Sequence, residues 1–368
     1  MNLVGDMLLD QLQKNHSDLL TASRICPPFR RRFTRNGDST GKGFNADRFL
    51  NRFWDYPRVA RQVRGDFDLF HVVDHSYGQL LHQLPAERTV ITCHDLDTFR
   101  CLLEPQQERR SVFFRKMMDR TLSGFRRAAR VTCDSAATRD QLSAYDLVPP
   151  ERTVVVHNGV HPSCSPEPNS AADIKVSEMV GPDTGDDLNI LHVGSTISRK
   201  RIDVLLQVFA NVRTVFPRAR LLRVGGAFTT EQIKLAEKLE LGDSVLVLPY
   251  VERNVLASLY RRSALVLQTS EREGFGLAVV EAMACGTPVV ASDLAVFREV
   301  GGDAADYSPV ANVGAWSEKV IVLLEERLKN PERSLARRAR GIERAGQFSW
   351  KEYARRMVEV YQQVLSMS

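Results

Sequence analysis

The chain has 368 residues, of which 43% are hydrophobic and 26% are charged, and its formal net charge is +5. This composition is that of a folded globular protein, so it excludes a fibre and a disordered chain, and the length is sufficient for two domains. No run of 18 uncharged apolar residues occurs and the first residues lack a signal peptide, so we expect a cytoplasmic protein whose six cysteines are reduced.

The first half of the chain alternates strand-like apolar runs with helical patterns. The predicted strands are residues 67–73, 89–93, 130–133 and 153–157. A basic amphipathic helix is predicted at residues 107–127. Alternation of this kind predicts a parallel sheet with crossover helices, which forms a first domain of residues 1–165.

The positive charge is concentrated in residues 24–64, a segment that begins at Arg24 and ends at Arg64. Residues 1–160 contain 24 Lys and Arg against 19 Asp and Glu, which accounts for the whole excess. The arginines of the segment are interleaved with Phe29, Phe33, Phe44, Phe49, Phe53 and Trp54. A solvated basic face and a contact with an anionic membrane or lipid phosphate both remain open. Nucleic-acid binding is disfavoured because no recognised nucleic-acid motif accompanies the arginines.

Residues 160–187 are rich in Pro, Ser, Asp and Gly, and they interrupt the alternation. We predict a linker and variable loop at residues 166–187, followed by a second domain of residues 188–347 and a terminal helix in residues 348–368 that returns to the first domain. The fold class is therefore α/β, with two Rossmann-like, doubly wound domains. Ligands of such sheets bind at the carboxyl ends of the strands, which predicts a site in a cleft between the domains.

The most informative motif is Glu273-Gly274-Phe275-Gly276-Leu277, which opens an apolar run with helical spacing. Glycines around an aromatic residue predict a tight turn before a helix, and a helix N-terminus favours a phosphate group. A second carboxylate, Glu281, follows eight residues later, a rise of at most about 12 Å in a helix, so the two carboxylates cannot bind one small group together. They can accept hydrogen bonds from the hydroxyls at the two ends of a sugar nucleotide. The alternative is a helix cap followed by a solvated face.

Residues 270–292 resemble the signature of the retaining glycosyltransferases of family 4, which have the GT-B fold, and the resemblance extends over most of the chain. It implies that Glu273 contacts the donor sugar and that Glu281 binds the ribose. The turn between them would approach the sugar and the phosphate through Gly274, Phe275, Gly276 and Leu277.

A basic turn follows the strand that opens the second domain. The resemblance implies that Arg199 and Lys200 neutralise the diphosphate of the donor, close to Gly194 and Ser195. Many members have Arg where this chain has Ser195. Because side-chain cations can stabilise the departing diphosphate, we expect neither a metal ion nor another cofactor. A solvated basic helix start is disfavoured, since cations oppose the macrodipole at a helix N-terminus.

His94 follows a strand of the first domain, and the resemblance implies that it is a catalytic residue that aligns the donor sugar. A hydrogen-bonded structural histidine is the alternative. The neighbouring Asp95-Leu96-Asp97 imitates the metal-binding motif of another glycosyltransferase fold, and we expect no metal there. The residues expected near the base of the donor, by the same resemblance, are Gly225, Gly226, Tyr250 and Val251.

Other strand ends of the first domain are weaker candidates for an acceptor pocket. These candidates are Asp74, His75, Tyr77 and Asn158. Each is about as consistent with a structural turn. Family members usually open with a short strand and a glycine-rich loop, whereas residues 7–12 already have helical spacing, so we expect this first strand to be missing.

Together these features predict a retaining, metal-independent glycosyltransferase. It would move a sugar from a nucleotide-diphosphate sugar to a glycan or lipid-linked acceptor in cell-envelope or exopolysaccharide synthesis, in the cytoplasm or at the inner face of the plasma membrane. The alternative is a non-catalytic, nucleotide-sugar-binding subunit of a polysaccharide assembly complex. A nicotinamide dehydrogenase is disfavoured because the pair Gly225-Gly226 lacks the third glycine of that fingerprint.

Overall fold

The computed structural model describes residues 2–34, 41–182 and 188–367. The chain divides into two compact units, one formed by residues 1–158 with 350–368 and the other by residues 159–349. Arg35 of the basic segment and residues 183–187 of the predicted linker lie outside the described residues.

The first unit is built on a four-stranded sheet. Its strands are β1 (Phe70–Val72), β2 (Thr89–Cys93), β3 (Arg130–Cys133) and β4 (Thr153–Val155). Its helices up to this point of the chain are α1 (Asn2–Asn15), α2 (Gly41–Leu50), α3 (Tyr56–Val63), α4 (Arg100–Leu103), α5 (Val112–Phe125) and α6 (Ala136–Ala144). The strands lie in the order β1-β2-β3-β4 and all pair in parallel, which confirms the predicted parallel sheet.

Helix α5 begins later than the sequence pattern predicts, at Val112 rather than near residue 107. The hydroxyl of Ser111 accepts a hydrogen bond from the Phe114 amide at 3.2 Å and so caps the helix. The polar residues before Ser111 fit a helical pattern, but this cap fixes the start.

Helix α1 has one apolar face. Val4, Leu8 and Leu12 recur every four residues, are buried, and belong to the same core as Val90 and Val156 of the sheet region. In the part of the chain that the structure describes, α1 precedes β1 and no strand comes before it.

The second unit is built on a six-stranded parallel sheet. Its strands are β5 (Asn189–Val193), β6 (Arg220–Val224), β7 (Val245–Leu248), β8 (Leu265–Gln268), β9 (Val289–Ser292) and β10 (Asp306–Ser308). Its helices are α7 (Ser170–Val180), α8 (Ile202–Val215), α9 (Thr230–Lys238), α10 (Arg253–Arg262), α11 (Leu277–Ala284), α12 (Ala295–Gly301), α13 (Val313–Lys329) and α14 (Pro331–Ala345). The strand order is β10-β9-β8-β5-β6-β7, so the order reverses between β5 and β8, where doubly wound sheets bind ligands.

Helix α7 occupies half of the stretch that the composition predicts to be a linker and loop. The Asn169 side chain caps it by accepting a hydrogen bond from the Ala172 amide at 3.0 Å. Ala172, Val176 and Val180, spaced four apart, are buried. This apolar stripe outweighs the polar composition, so residues 170–180 form a helix rather than the predicted loop.

The last helix, α15 (Trp350–Ser366), belongs to the first unit. Its buried side chains, among them Tyr353, Met357 and Val364, share a core with the apolar face of α1. Within residues 2–34, 41–182 and 188–367, no helix has both the length and the apolar character needed to span a membrane.

Candidate functional site

Helix α11 begins directly after a glycine that the backbone requires. Gly276 has a φ of +91°, and a Cβ there would lie 2.7 Å from the ring of Phe297. The predicted tight turn before a helix is therefore present. Phe275 is buried, and its ring packs edge-on against Phe348 with 5.8 Å between the ring centroids. The turn can therefore present its backbone, but not this side chain, to a ligand.

Glu273 lies just before this turn, and three side chains hold its carboxylate. Arg199 Nη1 lies 3.0 Å from Oε2, and Ser270 Oγ donates to Oε1 at 2.7 Å. Lys200 Nζ forms an ion pair with Oε1. Burial acts to raise the pKa of Glu273, but the charges of Lys200 and Arg199 outweigh it, so the pKa lies below its ordinary value. The carboxylate is therefore charged at neutral pH.

Neighbouring strands bring these groups together. β5 leads to the short helical turn Ser198–Lys200, and β8, which pairs with β5, leads to the loop that contains the carboxylate. Thr269 Oγ1 donates to the Lys200 carbonyl at 2.9 Å, and the Glu271 amide donates to the Arg199 carbonyl at 2.8 Å. The catalytic residues predicted in the second domain, Arg199, Lys200 and Glu273, thus meet at the carboxyl ends of β5 and β8.

The predicted glycines of this region lie at the ends of β5 and β6. The Gly194 amide donates to the Val224 carbonyl at 3.0 Å, and Gly225 has a φ of +126°. A Cβ on Gly225 would collide with the Gly194 carbonyl oxygen, so the two backbones approach as closely as glycine allows. Tyr250 is 77% exposed, and its ring lies 3.9 Å from the position of a Cβ on Gly226. Ser195 and Val251 are half-buried.

Glu281 lies inside α11 and has partners of its own. Arg253 Nη1 donates to Oε1 at 2.8 Å, and the Tyr260 hydroxyl donates to Oε2 at 3.2 Å. The side chain is only 4% exposed, and burial outweighs these partners and raises its pKa. The two glutamates therefore have separate partners and opposite pKa shifts. Arg253 and Tyr260 are residues that the sequence reasoning missed, since nothing in the spacing pairs α10 with α11.

His94 follows β2 in the first unit, and its ring is fixed at both nitrogens. Nδ1 lies 2.6 Å from Asp134 Oδ2, and Nε2 lies 2.8 Å from the Val73 carbonyl oxygen. Burial lowers the pKa of His94, but the charge and hydrogen bond of Asp134 outweigh it and raise the pKa to about 9. The imidazole is therefore charged at neutral pH. The sequence analysis missed Asp134. It directly follows β3, just as His94 directly follows the neighbouring strand β2, and this shared position was the signal that could have identified it.

Four buried polar atoms in residues that follow the strands of the first unit have no hydrogen-bond partner in the described residues. They are Asp74 Oδ2, His75 Nε2, Asp134 Oδ1 and Asn158 Oδ1. The ring of His75 lies 6.2 Å from that of His94, centroid to centroid. Three of the four atoms are oxygens that can only accept, so the region can receive hydrogen bonds from hydroxyl groups.

The remaining first-unit candidates have other neighbours. The Arg52 guanidinium lies 5.3 Å from the Tyr77 ring centroid, and the Tyr56 ring lies 6.2 Å away. Asp95 Oδ1 accepts a hydrogen bond from the Asp97 amide at 3.0 Å. Among the described residues, no group of three or more His, Cys, Asp and Glu side chains is arranged to hold a metal ion.

The described part of the basic segment contains exposed aromatic residues. Asp55 accepts two hydrogen bonds from the Arg32 guanidinium, both at 2.8 Å. Trp54 is 56% exposed, and the Arg58 guanidinium lies 3.7 Å from the centroid of its ring. Phe33 is 64% exposed. Arginine and aromatic side chains of this segment are therefore exposed to solvent, and Arg58 and Trp54 are in contact.

Two family models match the chain in succession. The model described as Glycosyltransferase Family 4 matches residues 8–163, and the model described as Glycosyl transferases group 1 matches residues 180–342. The chain belongs to the group 1 glycosyltransferases. The D-inositol 3-phosphate glycosyltransferase of Segniliparus rotundus is 32% identical to this group 1 member over 245 residues, which are 64% of the chain and 52% of the relative. The chain spans about half the length of the curated relatives it matches.

Solved structures of glycosyltransferases have the same fold as this group 1 member. WaaG, a glycosyltransferase involved in lipopolysaccharide biosynthesis, matches with a TM-score of 0.70 at 15% identity, over 97% of this chain and 95% of that chain. HepE from Anabaena, in complex with UDP and glucose, matches with a TM-score of 0.69 at 18% identity, over 85% of this chain and 82% of that chain. The predicted GT-B fold is confirmed.

Proposed function

We propose that the chain is a retaining, metal-independent glycosyltransferase that moves a sugar from a nucleotide-diphosphate sugar to a glycan or lipid-linked acceptor. One observation supports this most strongly. Arg199 and Lys200 converge on Glu273 at the carboxyl ends of β5 and β8, directly before the turn at Gly276. The two cations can bind the diphosphate, and the carboxylate can accept hydrogen bonds from sugar hydroxyls. This one site therefore contains both kinds of group that would bind a sugar nucleotide.

The donor side follows from these charges. When the bond between sugar and diphosphate breaks, negative charge develops on the leaving phosphate, and Arg199 and Lys200 are positioned to stabilise it. No side chain is assigned as a nucleophile, since a front-face attack by the acceptor hydroxyl, assisted by the leaving phosphate, accounts for retention. Catalysis is then positioning and charge stabilisation. HepE, whose structure holds UDP and glucose, supports a uridine donor as the first to test.

The acceptor side is proposed for the strand ends of the first unit. The unpaired oxygens of Asp74, Asp134 and Asn158 would accept hydrogen bonds from sugar hydroxyls, beside the charged His94. The exposed Trp54 and its neighbouring arginines would contact anionic lipids at the inner face of the plasma membrane, where a lipid-linked acceptor for polysaccharide synthesis is found.

Transfer assays with a panel of nucleotide-diphosphate sugars test the proposal. Lys200→Ala and Glu273→Gln should each lower the transfer rate by about 100- to 1000-fold while the protein remains folded. Lys175→Ala is the matched control, because Lys175 forms an exposed ion pair with Glu252 in the same unit. Addition of EDTA should leave the wild-type rate unchanged.

Two results would decide against the proposal. Equal transfer rates of the wild type, Lys200→Ala and Glu273→Gln would show that these residues do not form the active site. Binding of a sugar nucleotide without transfer to any acceptor would favour the non-catalytic subunit of an assembly complex instead.

A further inference from the structure

Arg223 is a buried cation without a hydrogen-bond partner in the described part of the chain. It lies in β6, its side chain is fully buried, and none of its three guanidinium nitrogens has a hydrogen-bond partner among the described residues. Burial lowers its pKa to about 10, so it is charged at neutral pH. A buried charge without a partner is destabilising, and a bound anion would offset this effect.

His192 lies beside Arg223 in the sheet and is equally buried. The two residues are register partners on β5 and β6, and neither ring nitrogen of His192 is paired within the described chain. Burial, together with the charges of Arg223 and Lys200, holds the pKa of His192 well below its ordinary value. The imidazole is therefore neutral and can donate one hydrogen bond.

Both side chains lie close to the glycines that end β5 and β6. Arg223 Nη1 is 3.0 Å from the position that a Cβ on Gly225 would take. Lys200 Cε is 3.2 Å, and His192 Cε1 is 3.4 Å, from the Cβ position on Gly194. Because Gly225 and Gly194 contact each other, Arg223 and Lys200 lie around one glycine contact at the candidate donor site.

The charges of this region are not balanced. Arg199 and Lys200 share one carboxylate, Glu273. Arg223 has no carboxylate partner in the described residues, and Ser195, which follows Gly194, adds no charge. In the contacts that the described residues show, these three cations therefore face one carboxylate, which is an excess of positive charge. A sugar nucleotide has one negative charge on each of its two phosphates, so its diphosphate matches this excess.

We infer that Arg223 is a third cation for the diphosphate of the nucleotide donor, with His192 as a hydrogen-bond donor beside it. This inference rests on the proposed function, because it takes a sugar nucleotide as the ligand of the second unit. It adds to the site a binding residue from β6, outside the turn that contains Arg199 and Lys200. The same guanidinium would stabilise the charge that develops on the leaving diphosphate.

Calorimetric titration of the full chain with UDP, UMP and uridine tests the inference. In Arg223→Met, which removes the charge and keeps the apolar volume, the affinity for UDP should fall by about 10- to 100-fold, as for a lost charge-assisted hydrogen bond. The affinity for uridine should not change. The melting temperature without ligand should stay the same or rise, because an unpaired buried charge is removed. If GDP or ADP binds the wild type more tightly than UDP, the titrations are made with the nucleoside, monophosphate and diphosphate of that base instead.

Arg220→Met is the matched control. Arg220 begins β6, and its guanidinium donates to Asn189 Oδ1 at 3.1 Å and to the Val180 carbonyl at 2.8 Å, so its loss should lower stability and leave UDP affinity unchanged. Wild-type UDP affinity in Arg223→Met would overturn the inference. If Arg223→Met does not fold, Arg223→Gln replaces it with the same two expectations and the same refuting result.

The failure of the inference can be told from that of the proposed function. If Lys200→Ala weakens UDP binding and Arg223→Met does not, the inference fails and the proposed function stands. If the wild type binds no nucleoside diphosphate and no sugar nucleotide, the proposed function itself fails.

Discussion

The pairing of His94 with Asp134 can be tested by removing one carboxylate. Burial alone lowers the pKa of His94, and Asp134 reverses that effect through its charge and a 2.6 Å hydrogen bond. Asp134→Asn keeps the shape of the side chain and removes the charge. The pKa of His94 should therefore fall from about 9, because burial is then opposed only by the weaker effects of the Asp74 charge and the Val73 carbonyl.

The magnitude for stability follows from the same change. Raising the pKa from 6.5 in the unfolded chain to about 9 in the folded protein corresponds to about 3 kcal/mol, at about 1.4 kcal/mol per pH unit. Because the folded pKa is the higher one, this contribution is fully present below pH 6.5 and is lost as the pH rises through about 9. The free energy of unfolding of wild type and Asp134→Asn should therefore converge at high pH.

Two measurements check this prediction. An NMR titration of the imidazole signals follows the pKa, with His94→Gln used to identify the His94 signal. Urea unfolding, followed by the amide signals of β2 and β3 at several pH values between 6 and 10, follows the stability of the first unit. Asp140→Asn is the control: Asp140 pairs with Arg139 on the surface, so its loss should cost less than about 1 kcal/mol.

The reasoning would be refuted by either of two results. One is a wild-type His94 that titrates below pH 7. The other is a stability difference between wild type and Asp134→Asn that does not change between pH 6.5 and pH 10.

Three other variants address the turn, the second glutamate and the basic surface. Gly276→Ala should cost about 2 kcal/mol in thermal unfolding and weaken donor binding, because the left-handed backbone and the Phe297 ring leave no room for a Cβ. Arg253→Ala removes a charge that lowers the pKa of Glu281, so Glu281 should take up a proton at a higher pH in the variant. The affinity for UDP, measured by calorimetry, should therefore fall more steeply in the variant than in the wild type between pH 8 and pH 6. Parallel pH profiles of the two proteins would contradict this prediction. Trp54→Ala should reduce co-sedimentation with vesicles that contain anionic lipid, and equal sedimentation of variant and wild type would exclude this surface.

The sequence was informative wherever one strand end or one turn determines the geometry. The family resemblance assigned Glu273 and Lys200 to the same donor, and the structure places them in contact at the carboxyl ends of β8 and β5. Gly276 could be read as a turn glycine because a helical apolar pattern starts directly after it. Whether these residues bind a donor is a prediction that binding experiments must decide.

The sequence was uninformative where side chains from distant elements meet. The pairing of Glu281 with Arg253 and Tyr260 depends on how α10 packs on α11, and periodicity does not give that. Arg223 reads as a polar residue in a strand, and only the sheet register shows that it is buried beside His192. In α7, polar composition concealed an apolar stripe with a spacing of four.

In the proposed function, the carboxylate of Glu273 would share Arg199 and Lys200 with the diphosphate of the product. Because Glu273 is tethered to the protein, whereas a nucleoside diphosphate diffuses away, Arg199 and Lys200 would keep a partner after the product departs. The empty site would then not be left with two unpaired, partly buried charges, which would make product release easier. The same group that would position the donor sugar would thereby limit how long the spent nucleotide is retained, and so would link substrate orientation to turnover.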